Sequence, residues 1–326
     1  MSYTTGTEQS TNTLAGLLRI NDANLSDVEF NDVIQPSEFF QALPFVEASR
    51  GVQHSWTVRT AGPGAAFREV STGISNAAGT ERTITANLKL LDASFHRDIA
   101  KKGALGPRMT WEQYLQREAM LSVNEGLSAV EKQFIIGTAT ATPGTGWHGL
   151  ADILNLWKGM GEDVGGNGGT RCYMLCLGQD RIAGIIGGNS AVPSLEVGEP
   201  TRVLVTTNDG TYDADRVSVL GWMGLQIAGS YSAAVAFNID GTEGKTLDED
   251  LLATLYSKFP TQHRGAVNAI LMSRVGLKQL RDSLVTDLIP SPPFPTAWGG
   301  AGRPIPILVS DAVDDSEDKE IEPTEA

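Results

Sequence analysis

Four histidines, two cysteines and two glycine-rich runs are the raw material from which this sequence would have to build a reaction or a ligand site. His54, His96, His148 and His263 stand far apart, without the HExxH spacing that sets two imidazoles on one helix face, so they form no metal-ligand set. Each reads as a core or interface side chain. Cys172 and Cys176 fall within Arg-Cys-Tyr-Met-Leu-Cys-Leu, an apolar run expected to be a buried strand. At ~3.3 Å per residue their α-carbons would lie ~13 Å apart, too far to join in a disulfide or to close on one metal. They read as two buried thiols. Gly165-Gly166-Asn167-Gly168-Gly169 leads into a strand, whereas a phosphate cradle follows a strand and opens a helix. It is expected to be a surface loop. Gly187-Gly188-Asn189-Ser190-Ala191 lacks the closing glycine of a nucleophile elbow, and Asp213 and Asp215 lack the remaining ligands of a calcium loop. No catalytic residue, metal ligand or cofactor site is assigned, and the chain is expected not to be an enzyme.

The chain has 326 residues, enough for a sizeable core in one elaborate domain or two. Its hydrophobic content of 41% is that of an ordinary globular protein. A formal net charge of -14 and the lack of any basic cluster weigh against a surface that grips nucleic acid, because phosphate binding is driven by clustered Lys and Arg. No apolar run approaches the ~20 residues that cross a bilayer. The Thr/Ser-rich start has neither the basic nor the apolar region of a signal peptide. The expectation is a soluble protein made in a cytoplasm, with no membrane partner.

Among the elements that must position any functional side chain, one hairpin stands out. Val52, His54, Trp56 and Val58 alternate with Gln53, Ser55, Thr57 and Arg59; Ile84, Ala86, Leu88 and Leu90 alternate with Thr83, Thr85, Asn87 and Lys89. Both show the period of two of a strand with one apolar face. The joining stretch, Thr60 to Thr80, far exceeds the ~2 to 5 residues usual for a hairpin loop. A two-stranded hairpin is marginal in water, so its stripe must be covered, either by the chain's own core or by a neighbouring copy that it reaches as an arm.

Ahead of the hairpin, short apolar patches (Leu14, Leu17, Leu18; Val28, Phe30, Val33, Ile34; Phe39, Phe40, Leu43, Phe45) predict an extended N-terminal arm with short helices. After it, Thr110 and Gln113 form a capping box for a helix over Trp111–Ile136, a rod of ~39 Å at ~1.5 Å per residue. Its apolar positions include Trp111, Tyr114, Leu115, Met120, Leu121, Leu127, Val130 and Phe134. Thr138 to Gly146 reads as a linker. A short apolar segment follows at Trp147 to Leu154. Strands are then expected at Thr170–Leu177, at Arg202–Thr206 and Arg216–Leu220 about an Asn208-Asp209-Gly210 turn, at Trp222–Ile227 and at Ala233–Ile239. Thr246 with Glu249 predicts a second capping box, opening a helix that carries Leu247, Leu251, Leu252, Leu255 and Phe259 and stops at Pro260. Val267–Met272 is a buried strand. Ser273 caps a helix turning Val275, Leu277, Leu280 and Leu284 inward, and Ile305–Val309 is the last strand before an acidic tail.

In this order the elements resemble the major capsid protein of tailed double-stranded-DNA bacteriophages. Arg171–Ile186, the turn at Asn208–Tyr212, Trp222-Met223-Gly224-Leu225, Ala236-Phe237-Asn238-Ile239-Asp240 and the closing Gly302–Asp311 look like successive signatures of one branch of that family. The resemblance covers nearly the whole chain and rests on the order and spacing of these runs. It implies an α+β phage major-capsid fold: an N-terminal arm (1–50), an extended hairpin loop (51–95), a peripheral domain with a spine helix (96–146), a mixed axial domain (147–288), the closing strand of the core (289–310) and an acidic flexible tail (311–326).

The resemblance also implies a function: self-assembly into hexamers and pentamers of an icosahedral shell around the packaged DNA, with location in the virion. The partners it implies are further copies of the chain, a portal and a scaffolding protein. No lysine lies between Gly51 and Leu88, so a lysine weld in the extended loop is not expected. No long charged helical region precedes Leu14, so the scaffold is expected to be a separate protein. Trp56, Phe67, Arg68 and Glu69 are the candidate interface residues of the arm, aromatic and charged groups of the kind that dominate contacts. The alternatives are another phage structural component, a tube or decoration protein, and a soluble enzyme with a site in the glycine-rich loops of residues 159–190.

Overall fold

The computed structural model describes residues 37–313 and 315, apart from 66, 72, 74–77, 106–108, 138–145, 156–158, 188–195, 209, 286–291 and 301. Most of the expected N-terminal arm, the linker after the long helix and the acidic tail lie outside the described residues. In chain order the elements begin α1 (Glu38–Ala42), β1 (Phe45–Glu47), β2 (Gln53–Ala61), β3 (Thr80–Asn87), β4 (Lys89–Asp92), β5 (Phe95–Asp98) and the long helix α2 (Trp111–Ile136). There follow α3 (Leu150–Asn155), β6 (Gly161–Asp163), β7 (Thr170–Leu175), β8 (Ile182–Ile186), β9 (Glu196–Val197), β10 (Thr201–Thr207), β11 (Gly210–Val217), β12 (Val219–Ile227) and β13 (Ala233–Ile239). The chain continues through α4 (Glu249–Lys258), α5 (Thr261–Arg264), β14 (Ala269–Met272), α6 (Arg274–Ser283), β15 (Ala297–Trp298) and β16 (Ile305–Val309). They fall into two compact units, one of Leu91–Ser128 and Ser194–Gly221, the other of Pro36–Leu90, Ala129–Pro193 and Trp222–Ala326.

The larger unit is organised on a six-stranded mixed sheet of order β15-β16-β14-β7-β13-β6. Every residue of β7, β13 and β14 is buried, which is why those strands read in sequence as unbroken apolar runs rather than alternating ones. Leu252 and Leu255 from α4, Phe259 at its C-terminal end and Leu280 from α6 join Cys172, Met174, Ile239, Ile270 and Met272 in one core. Each such side chain contributes roughly 1.5–3 kcal/mol by leaving water.

The helix ends show where local reading holds and where it slips. Ser273 caps α6 as expected, its Oγ accepting from Gly276 N–H at 3.1 Å. The cap of α4 is Asp248 rather than Thr246: its carboxylate accepts from Leu251 N–H at 2.8 Å. A carboxylate at that position is also favoured by the helix dipole. Val275, expected inward, is nearly half exposed. The inner face of α6 at that level is taken by Gly276, whose missing side chain lets the helix sit on Leu247 and Met272.

The aromatic patch just before the hairpin finds its surface in the same unit. Phe40 packs on Phe45 and Phe134 at ring distances of 5.5 and 6.1 Å, and Phe134 on Trp147 at 5.4 Å. Beneath Phe45 only glycine fits, because a Cβ on Gly184 would stand 2.4 Å from the ring. Close by, Glu131 of the long helix is 3% exposed and still satisfied. Ser37 N–H donates to it at 2.8 Å, and the Ser37 and Ser310 hydroxyls donate to its other oxygen. One carboxylate thus ties α1 and the end of β16 to the helix.

In the smaller unit β10, β11 and β5 form an antiparallel sheet. The sequence places a return strand at Arg216–Leu220. In the structure the return begins at Gly210, which pairs with Thr207, and residues 216–220 straddle the break at Ser218 between β11 and β12. The long helix starts with its capping box formed, Gln113 N–H donating to Thr110 Oγ1 at 3.3 Å and Thr110 N–H to Gln113 Oε1 at 3.0 Å. Its first turns bury Trp111, Tyr114 and Leu115 against Phe95, Leu105 and Met109. Trp111 Nε1 donates to Asp215 at 2.8 Å, and Arg97 Nε to Glu118 at 3.2 Å.

Two outcomes are expected. Glu131→Ala leaves the Ser37 and Ser310 donors unsatisfied and should lower unfolding stability by about 3 kcal/mol in a denaturant titration, since each orphaned buried group costs roughly 1–3 kcal/mol; a change within experimental error would remove the carboxylate from the fold. Burial pushes the thiols up, to about 12 for Cys172 and about 11 for Cys176, the latter partly opposed by Arg181. Both therefore stay protonated at neutral pH, and a disulfide reagent at pH 8 should modify neither until denaturant is added.

Candidate assembly surface

The hairpin β2–β3 is a sheet of its own, in antiparallel register from Gln53↔Asn87 to Ala61↔Thr80. Its polar face carries cross-strand pairs: Gln53 Nε2 to Asn87 at 2.9 Å, Ser55 with Thr85 at 3.0 Å and Arg59 with Glu81 at 2.9 Å. Such pairs hold a register with little help from a core. The expected alternation holds from His54 to Leu88 and then breaks; Val52, expected on the apolar face, lies before the strand and is nearly half exposed. Beyond that break the phase reverses, so Leu90, expected on the apolar face, is nearly half exposed while Leu91 turns in.

The base of the hairpin is anchored on its own unit. Ser49 N–H donates to His54 Nδ1 at 3.2 Å, which leaves the proton on Nε2 to bond the buried Gln226 Oε1 at 2.8 Å. Gln226 Nε2 in turn donates to the Gln179 carbonyl at 2.8 Å. Leu88 rests where Gly187 and Gly224 leave room for it. At ~3.3 Å per residue β2 then runs for ~30 Å.

The candidate residues sit in two places. Trp56 lies half-buried on the hairpin, stacked on His54 at 5.7 Å, and its indole N–H has no partner among the described residues. Phe67, Arg68 and Glu69 stand together in the loop beyond the strands, all exposed. Phe67 and Val70 are fully exposed. The chain reverses just after them at Ser71, whose φ of 71° is in the left-handed region.

A further surface was not legible as one. Met120 counts among the apolar positions of the long helix, yet it is 70% exposed. It follows Trp111 by nine residues, which at ~3.6 residues per turn places it on the opposite side of the helix. That angle is the signal in the sequence. Met120 and Val197, 48% exposed, border an open hollow of about 410 Å³ with Ala119 and Val123 as its apolar wall and Gln116 and Asn124 on its rim.

Of the two glycine-rich runs, residues 188–191 lie outside the described residues, and the run at 165–169 turns its amides inward on the chain itself. Gly165 N–H is taken by Asp163 at 2.8 Å, Gly166 N–H by the Asn238 carbonyl at 2.9 Å and Asn167 N–H by Asp240 at 3.0 Å, so these amides face the chain's own acceptors. The hydroxyl and N–H of Thr242, together with Asn167 N–H, hold the Asp240 carboxyl down to about 2. Its contribution to the loop is present above the ordinary value of 3.8 and is lost as pH falls toward 2. Gly169, at φ 103°, lies where a Cβ would stand 2.1 Å from the Ile239 carbonyl. Much of residues 159–190 is strand. A second hollow of about 410 Å³, walled by Pro44, Leu177, Asn268, Pro306 and Leu308, has no titratable side chain in its lining. Among the described residues no group of three or more His, Cys, Asp or Glu side chains could hold a metal ion, and no helix is long and apolar enough to cross a membrane.

The sequence matches no protein-family model, and no curated protein resembles it closely enough to count as a relative. Solved structures do resemble it. A chain from the cryo-EM structure of bacteriophage Epsilon15 superposes with a TM-score of 0.63 over 95% of this chain and 97% of that one, at 13% identity. The capsid of bacteriophage JBD30 (TM-score 0.44, 8% identity, 77% and 85% covered) and the SrpI encapsulin of Synechococcus elongatus PCC 7942 (0.42, 10%, 71% and 96%) are fainter likenesses on which nothing rests. The two chains thus share one mixed α and β fold over nearly their whole lengths.

Proposed function

We propose that this chain is the major capsid protein of a tailed double-stranded-DNA bacteriophage, a structural subunit that forms hexamers and pentamers and closes into an icosahedral shell around the genome. The observation that carries this reading is the full-length match to the Epsilon15 chain. The hairpin supports it: its base is fixed on its own unit and its tip exposes Phe67 and Val70. Trp56, Phe67, Arg68 and Glu69 are then the arm's interface residues, with Trp56 stiffening the root and the other three meeting a neighbouring copy. Scaffold and portal are the further partners of such a subunit, and its place is the virion. The net charge of -14 suits a container filled with phosphate, which a basic chain would bind tightly.

Electron microscopy of the full chain, expressed alone and beside its neighbouring genes, tests the reading. Closed shells of uniform diameter, or rings of five and six, are expected; tubes would point to a tube protein, and a stable monomer under both conditions would overturn the proposal. Within that system Phe67→Asp should leave the unfolding midpoint unchanged, because the ring is fully exposed. Losing one buried aromatic per contact, roughly 1.5–3 kcal/mol, should reduce shell yield tenfold or more. Wild-type yield would remove Phe67 from assembly.

A further inference from the structure

A strand that ends a sheet presents main-chain donors and acceptors that nothing pairs, and proteins blunt such edges with lysine, proline or a bulge. β10 is the edge of the smaller unit's sheet, with β11 on one side and no strand on the other among the described residues. None of those guards is present. The strand reads Thr-Arg-Val-Leu-Val-Thr-Thr, and its register with β11 runs unbroken from Thr201↔Arg216 to Thr207↔Gly210. Its only charge, Arg202, lies 3.7 Å from Asp215 of the same sheet. Thr207 and Gly210 close the hairpin as a hydrogen-bonded pair, and such pairs alternate along an antiparallel ladder. The N–H and C=O groups of Arg202, Leu204 and Thr206 therefore point away from β11. Leu204, at the middle of that edge, is 66% exposed.

We propose that β10 pairs with β10 of a second copy, antiparallel about a two-fold axis at Leu204, so that two sheets become one. Strand addition draws its affinity from main-chain bonds and its choice of partner from side chains. Here the side chains choose the strand itself. Leu204 lies opposite Leu204 of the other copy, Val203 opposite Val205, and Arg202 opposite Thr206, so apolar meets apolar and the two guanidinium groups stay at opposite ends. A slip of two residues would set Leu204 against Arg202 or Thr206 and leave main-chain groups unmatched at one end. β10 carries no acidic side chain although the net charge of the chain is -14, so two copies meet along it without facing carboxylates. The same patch serves both copies, which makes the contact isologous. It needs only two copies and does not rest on the shell reading; within a shell it would join one ring to the next.

Leu204→Cys tests it in the full chain, oxidised mildly both as the free subunit and in any shells that form. Opposed residues of a hydrogen-bonded pair have α-carbons about 5.5 Å apart, within reach of a disulfide, and the native Cys172 and Cys176 are buried. In at least one of the two states a non-reducing gel should show chains joined in twos. Thr211→Cys, exposed on β11 one strand away, should give none. Adding Thr206→Pro, which removes an outward N–H and no bond to β11, should abolish the joining; joining that persists marks chance collision and overturns the inference. Chains unjoined in both states give the edge to another strand, overturning the inference while shells, if they form, keep the shell reading. Joined pairs from a chain that makes no shells do the reverse. Should Leu204→Cys fail to fold, Leu204→Lys decides, because two ammonium groups on the axis oppose pairing. Shells, or dimers in sedimentation where no shells form, should then fall roughly tenfold or more at an unchanged unfolding midpoint; wild-type yield, or a wild-type chain that is monomeric throughout, overturns the pairing.

Discussion

A two-stranded hairpin cannot cover its own apolar face, and this chain meets that constraint unevenly. At the root, cover comes from the same unit, where His54, Gln226 and the Gln179 carbonyl form a hydrogen-bonded chain. Leu88 drops onto glycines at the same level. At the tip, Phe67 and Val70 are fully exposed. In the proposed assembly the anchored root would matter to the exposed tip, because a projection held on a stiff strand pair loses less freedom on docking than a loose loop would.

The larger unit supplies the stiffness behind that root. Its central strands are buried over their whole length, and Leu252 and Leu255 of α4 and Leu280 of α6 pack with them into one core. Glu131 adds a polar fastening inside this apolar setting. A carboxylate removed from water is tolerated only with its donors in place. The serines that supply them, Ser37 and Ser310, flank the unit's first helix and its last strand. That single group therefore makes the position of both stretches depend on the long helix.

A shell of many copies does not need strong individual contacts. Modest apolar patches repeated around rings add through multivalency, and contacts weak enough to reverse allow misplaced subunits to leave. An exposed phenylalanine per arm is of that scale. In the proposed shell the acidic balance of the chain would work in the same direction, since like charge keeps subunits apart before assembly.

Local periodicity settled much by itself. The helix Trp111–Ile136 and the strands Ala233–Ile239 and Ile305–Val309 stand where their patterns put them, because capping boxes and apolar repeats act over a few residues. The buried thiols were likewise evident from the apolar run around them. Tertiary structure decided what depends on partners distant in sequence. Asp248 displaced Thr246 as the cap because the first turn begins where the chain leaves the packed Leu247. The strand phase reversed after Leu88 because that side chain is claimed by Gly187 and Gly224. Val275 faces water because Gly276 takes the tight contact beneath. Met120 belongs to a surface rather than to the core because only the assembled unit, with β9 laid beside the helix face, turns an exposed methionine into the edge of a hollow.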